Sequence, residues 1–142
     1  MRVLVDTSIW SLALRRSSRR LSRSESELVE EWAALIREGR VALVGPVRQE
    51  LLSGLRDDAA FERLRVRLRP FEDLPLETDD FEAAAAAFNR CRGAGVTGSA
   101  VDLLLCAIAE RRALPIFTAD RDFERYARVL RFSLHAPRTH RA

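Results

Sequence analysis

Along the chain, short apolar runs alternate with segments whose apolar residues recur at helical spacing, and the two rhythms predict strands and helices in turn. Residues 2–5 read as a short buried strand ending at Asp6, after which Thr7 and Ser8 can cap a helix beginning near Ile9 and Trp10. Residues 15–23 are rich in Arg and Ser, carry few apolar side chains and are read as a loop. Ser24-Glu25-Ser26-Glu27 is a capping pattern for a helix with Leu28, Trp32, Leu35 and Ile36 on one face, and Gly39 stops it. Residues 41–44 form a second strand, and Gly45-Pro46 opens a helix carrying Val47, Glu50, Leu51 and Leu55. A further amphipathic stretch spans about 59–68, residues 71–76 are extended, and 79–92 form an alanine-rich helix. Gly93, Gly95 and Gly98 make a flexible approach to a helix over 99–112. A strand at 115–118, a short helix at 122–128 and an edge strand at 130–134 complete the pattern. Strands alternating with helices imply one α/β domain with a mainly parallel central β-sheet flanked by α-helices.

Composition narrows this only a little. The chain of 142 residues suits a single domain over 1–136, with a frayed tail at 137–142. Its longest apolar run, residues 101–109, is interrupted by Asp102 and is far shorter than the roughly 20 residues that span a bilayer. No secretory leader pattern opens the sequence, so a cytoplasmic protein without membrane contact is expected. Cys91 and Cys106 lack a metal-site spacing and are read as small packing residues. The net charge of +3 comes with arginine as the sole basic side chain apart from two histidines. If the acids gather in one pocket, the remaining surface is more basic than the total suggests, which suits a polyanionic substrate.

The candidate chemistry lies in acids placed where acids are expensive. Asp6 ends an apolar strand, Glu50 sits between Val47 and Leu51, Asp102 interrupts an apolar helix, and Asp120 follows a strand with Asp122 just beyond. Asp57, Asp58, Glu30 and Glu31 stand in polar stretches and are read as solvated surface. Residues just past the carboxyl ends of parallel strands share one edge, where ligands bind. Carboxylates gathered there repel one another, and a divalent cation resolves the conflict; oxygen ligation favours Mg²⁺ or Mn²⁺ over zinc. Each acid also has a plainer reading. Asp6 and Asp122 can be helix caps, Glu50 can pair with Arg48 or Arg56, Asp102 can face solvent, and Asp120 can be a turn residue. His135 and His140 lie near the C-terminus, outside every acidic motif, which disfavours histidine acid–base chemistry.

The same residues resemble the PIN-domain family, and in particular VapC-type toxins. Val3-Leu4-Val5-Asp6-Thr7-Ser8-Ile9-Trp10 is similar to the family's first motif, and Pro46 to Gly54 to its second, with the acid at Glu50. Ser99-Ala100-Val101-Asp102 resembles the third, although Leu-Leu-Leu-Cys-Ala follows where the family often has Ile-Ala-Ala. Thr118-Ala119-Asp120-Arg121-Asp122-Phe123 resembles the fourth. The resemblance implies a PIN-like fold and an endoribonuclease dependent on Mg²⁺, with Mn²⁺ as a substitute. It also implies a cognate VapB-like antitoxin and a homodimer. On this reading Asp6, Glu50, Asp102 and Asp120 are catalytic; Asp6 and Asp102 ligate metal directly, Glu50 and Asp120 complete the metal shell through water or a second ion, and Asp122 is an accessory metal residue. Thr7, Ser99 and Thr118 orient carboxylates or contact phosphate. Arg15, Arg16, Arg19, Arg20 and Arg23 form the densest basic patch, read either as a solvated loop or as an RNA-guiding surface. Trp10, Leu12, Leu14 and apolar positions within 28–36 either line a partner groove or belong to the core. Two alternatives stay open: an RNA-processing nuclease of the same type that is not a toxin, and a non-catalytic RNA- or protein-binding α/β module.

Overall fold

The computed structural model describes residues 1–15 and 20–140, in which three parallel strands alternate with seven helices. In chain order these are β1 (Val3–Val5), α1 (Thr7–Leu14), α2 (Arg23–Arg37), β2 (Val41–Ala42), α3 (Gly45–Leu52), α4 (Asp58–Leu68), α5 (Thr78–Gly93), α6 (Ala100–Arg112), β3 (Ile116–Phe117) and α7 (Asp122–Val129). The sheet order is β2-β1-β3, with Leu4 opposite both Ala42 and Ile116. Single parallel bridges extend it on both sides, from Leu43 to Asp73 and from Ile116 to Leu134. The expected strands at 71–76 and 130–134 are therefore one-bridge edges. β1 is central and wholly buried, as a strand covered on both faces must be.

Helix α6 is the other buried axis. Leu103 through Ala109 are all buried, so this helix has no solvated stripe and packs extensively on α5. Trp10 on α1 meets Trp32 on α2 and Phe71 edge-on, at centroid separations of 5.6 and 5.0 Å. Trp10 and Leu12 thus belong to the core and are unavailable as a partner groove, while Leu14 lies at its margin. Cys91 and Cys106 are buried free thiols. Among the described residues no helix is long and apolar enough to cross a membrane.

Two helix starts differ from expectation. Asp6, rather than Thr7 or Ser8, caps α1, accepting the Ser8 backbone N–H. The capping box of α2 is Ser22 with Glu25, two residues before the pattern at Ser24, because Ser22 holds the extended backbone that a cap requires. Residues 137–140 have no regular secondary structure, as a free tail would, yet Arg138 and His140 both reach Glu31 on α2.

Candidate active site

Asp6 emerges from the carboxyl end of β1 and is 4% exposed. One carboxylate oxygen, Oδ2, accepts the hydroxyl protons of Ser8 at 2.7 Å and Thr118 at 2.8 Å. Those hydroxyls in turn accept backbone N–H groups, Ser8 from Ala119 and Thr118 from Asp120, each at 2.9 Å. The turn after β3 is thereby tied to Asp6, and the carboxylate is fixed by neutral donors only. Burial pushes its pKa above the ordinary range, and the Ser8 and Thr118 hydrogen bonds offset that only in part.

Asp102 enters from the first turn of α6, where Ser99 caps the helix by accepting the Asp102 backbone N–H at 3.1 Å. The Tyr126 hydroxyl of α7 donates to Asp102 Oδ2 at 2.8 Å. Burial raises the Asp102 pKa, the Tyr126 hydrogen bond opposes this, and the charges of Asp6 and Asp120 raise it further. That mutual charge coupling brings Asp6, Asp102 and Asp120 into one electrostatic cluster. Asp120 itself is exposed, and its Oδ1 accepts the Asp122 backbone N–H at 2.9 Å, starting α7. Asp122 pairs with Arg125 at 2.9 Å.

Glu50 stays outside this set of recorded interactions. It is exposed on α3 and borders a hollow of about 280 Å³ with Pro46, Gln49, Ser53 and Val101, the residue before Asp102. It does not pair with Arg48, which is held by Asp73 at 2.9 Å. Of the three expected hydroxyls, Thr118 touches Asp6 and Ser99 caps Asp102, but the buried Thr7 Oγ1 has no partner among the described residues. Ser8 takes the role expected of Thr7, because the helix begins two residues earlier than the expected start near Ile9 and turns Ser8 back onto its cap. In the basic patch, Arg15, Arg20 and Arg23 are exposed, whereas Arg16 and Arg19 lie outside the described residues.

Three residues contradict their expected surroundings. Glu31, read as solvated, is 0% exposed and accepts from His135 Nε2 and His140 Nε2, both at 2.5 Å, and from Arg138. The histidines are therefore close to an acid after all. His135 also shares a hollow of about 140 Å³ with Thr118, Asp120, Arg121 and Glu124, at the carboxyl end of β3. An apolar hollow of about 490 Å³, lined by Phe81, Phe88, Val101 and Leu104 among others, runs beside α5 and α6 and holds no carboxylate.

The donor set fits a hard divalent cation: it is all oxygen, partly desolvated, and electrostatically frustrated without a counter-charge. Among the described residues no group of three or more Asp, Glu, His or Cys side chains is arranged to hold a metal ion. Mg²⁺ does not need one, since it keeps several waters and is held through one or two carboxylates.

The PIN domain family matches residues 3–129. VapC ribonuclease Mb1587 of Mycobacterium bovis is 32% identical over 129 residues, covering 89% of this chain and 92% of that protein. Ribonuclease VapC11 of Mycobacterium tuberculosis matches at the same 32% and the same coverage. Two solved structures share the fold. FitAcB from Neisseria gonorrhoeae has a TM-score of 0.73 at 23% identity, covering 95% of this chain and 97% of that one. VapBC2 from Rickettsia felis, bound to a DNA fragment from its promoter, has a TM-score of 0.74 at 15% identity, covering 95% and 98%.

Proposed function

The chain belongs to the PIN-domain family, and on that premise we propose that it is a divalent-metal-dependent endoribonuclease, the toxin of a type II toxin–antitoxin pair. One observation carries the reading: a buried aspartate at the end of the central strand is held by two hydroxyls, and its charge together with that of Asp120 acts on Asp102. Among the described residues no ion pair neutralises Asp6, Asp102 or Asp120, although the two other buried acids, Glu31 and Asp80, each have a cation.

Asp6 and Asp102 would hold Mg²⁺ or Mn²⁺, with Asp120 and Glu50 at the periphery and Asp122 accessory. When bound, such an ion neutralises charge on a phosphodiester and makes water nucleophilic near neutral pH. Ser8 and Thr118 keep the Asp6 carboxylate in one orientation, so little reorganisation is left for the reaction itself. Their backbone donors, Ala119 and Asp120, tie the loop carrying Asp120 to the same point. Exposed Arg15, Arg20 and Arg23 contact RNA phosphates, supplying affinity without sequence choice. A VapB-like antitoxin partner is supported by the VapC relatives and the VapBC2 neighbour, and the exposed Phe81 and Phe88 offer an apolar surface for a homodimer.

The test is cleavage of total RNA by the purified chain and by Asp102→Asn, each with Mg²⁺, Mn²⁺ or EDTA. Discrete cuts by the wild type with either metal, absent in EDTA and in the variant, are expected. Intact RNA from folded wild-type protein under every condition overturns the reading in favour of a binding module. Growth arrest on expression, relieved by co-expressed antitoxin, separates a toxin from an RNA-processing nuclease.

A further inference from the structure

Tyr126 carries a polar group into a place where the packing does not ask for one. Its side chain is 1% exposed, with the ring edge-on to Phe123 at 5.2 Å, so a phenylalanine would fill the same space. The hydroxyl nevertheless finds one partner, the Asp102 carboxylate, at 2.8 Å. Burying a hydroxyl is costly unless it is hydrogen-bonded, and bonds to an ionised acceptor are about twice as strong as neutral ones.

The backbone is shaped around this contact. A Cβ on Gly98 would lie 2.6 Å from the Tyr126 oxygen, 2.7 Å from its ring and 2.4 Å from Leu103 Cδ2. Real Cβ atoms do not approach so closely, so only glycine lets the segment before α6 press on the phenol. One residue later Ser99 fixes the Asp102 backbone N–H. Asp102 is thus held twice, by its main chain from Ser99 and by its carboxylate from Tyr126, with Gly98 making room for both.

We propose that Tyr126 is a positioning residue that presets the Asp102 carboxylate for a divalent cation, with Gly98 as the glycine its approach requires. The proposal rests on the reading of Asp102 as a cation ligand. Tyr126 touches neither ion nor substrate; it selects one carboxylate orientation before the ion arrives and draws off part of the charge that Asp6 and Asp120 oppose. Partners of this outer kind change metal affinity by about 10–100-fold when removed.

Calorimetric titration of Mn²⁺ into the full chain tests this, with wild type, Tyr126→Phe and Asp102→Asn compared beside their melting temperatures in EDTA. Tyr126→Phe is expected to melt close to wild type yet bind Mn²⁺ about tenfold more weakly, with RNA cleavage largely recovered at saturating Mn²⁺. A Tyr126→Phe protein that binds Mn²⁺ as tightly as wild type overturns the positioning role and leaves the metal reading standing. A folded wild type that binds no Mn²⁺ overturns both.

Discussion

Two regions of this molecule bury carboxylates, and they solve the problem in opposite ways. In one kind of surroundings, Glu31 on α2 meets Arg138, His135 and His140, and Asp80 on α5 separately meets Arg111 and, at 2.6 Å, Arg112. At the carboxyl edge of the sheet, Asp6 has only hydroxyl and backbone donors among the described residues, and its charge and that of Asp120 act on Asp102. The electrostatics follow the partners. Burial raises the Glu31 pKa, but Arg138, His135 and His140 outweigh it and hold the carboxyl down to about 2. Burial likewise acts on Asp80, and the Glu77 N–H, Arg112 and Arg111 outweigh it. For Asp6 burial wins. The first two acids complete their own ion pairs, and the third is left wanting a cation. A buried acid with its charge answered is structural; one with its charge unanswered is where the proposed cation would sit.

The sharpest break between the regions is a single isosteric change in each. Asp6→Asn is expected to reduce RNA cleavage on the order of a thousandfold while leaving the melting temperature in EDTA unchanged or a few degrees higher, since a frustrated charge is removed. Glu31→Gln and Asp80→Asn are expected to keep the cleavage activity at 25 °C but to lose about 1.5–3 kcal/mol of stability by urea denaturation. This lies at or below the usual range for broken buried pairs, about 3–5 kcal/mol, because the stranded arginines are partly exposed and reach water.

Acid separates the regions by sign. The folded pKa of Glu31 lies below its ordinary 4.5, so its contribution is fully present above about that pH and fades as pH falls toward 2. Wild type is therefore expected to lose stability across that window, and Glu31→Gln to show a flatter profile in the same denaturation series. Gly98→Ala is next, costing about 1–3 kcal/mol as Tyr126 and Leu103 are forced apart. Smallest is Arg23→Ala: the Arg23–Glu27 contact is 3.8 Å long and its arginine 95% exposed, so stability changes by less than about 0.5 kcal/mol.

Much of this architecture was legible in the residue pattern. The strands at β1, β2 and β3, the helices between them and the parallel order follow from apolar spacing, because burial on two faces leaves few alternatives. The acids at strand ends were also visible. Glu31 is read as solvated because it stands beside Glu30 as a second acid, although Leu28, Glu31, Trp32 and Leu35 share helical spacing and mark it as facing inward. The same spacing joins Asp80 to Ala87 and Cys91. Its partners, Arg111 and Arg112, are some thirty positions away and belong to another helix, a pairing that periodicity does not encode. Tyr126 falls on the apolar stripe with Phe123 and Leu130, so the pattern marks it as core and says nothing of its hydroxyl. Gly98, read as flexibility, serves close packing instead.

The central claim is that the unanswered charge at Asp6 is answered by a divalent cation. Thermal melts of wild type, Asp6→Asn and Glu31→Gln across a Mn²⁺ series test it most directly, since an ion that binds only the folded state stabilises it by about 2.7 kcal/mol at a hundredfold excess over Kd. Wild type should gain melting temperature with Mn²⁺, Glu31→Gln should gain the same increment from a lower baseline, and Asp6→Asn should stay flat. A wild type indifferent to Mn²⁺, or an Asp6→Asn protein stabilised as much as wild type, would contradict the account.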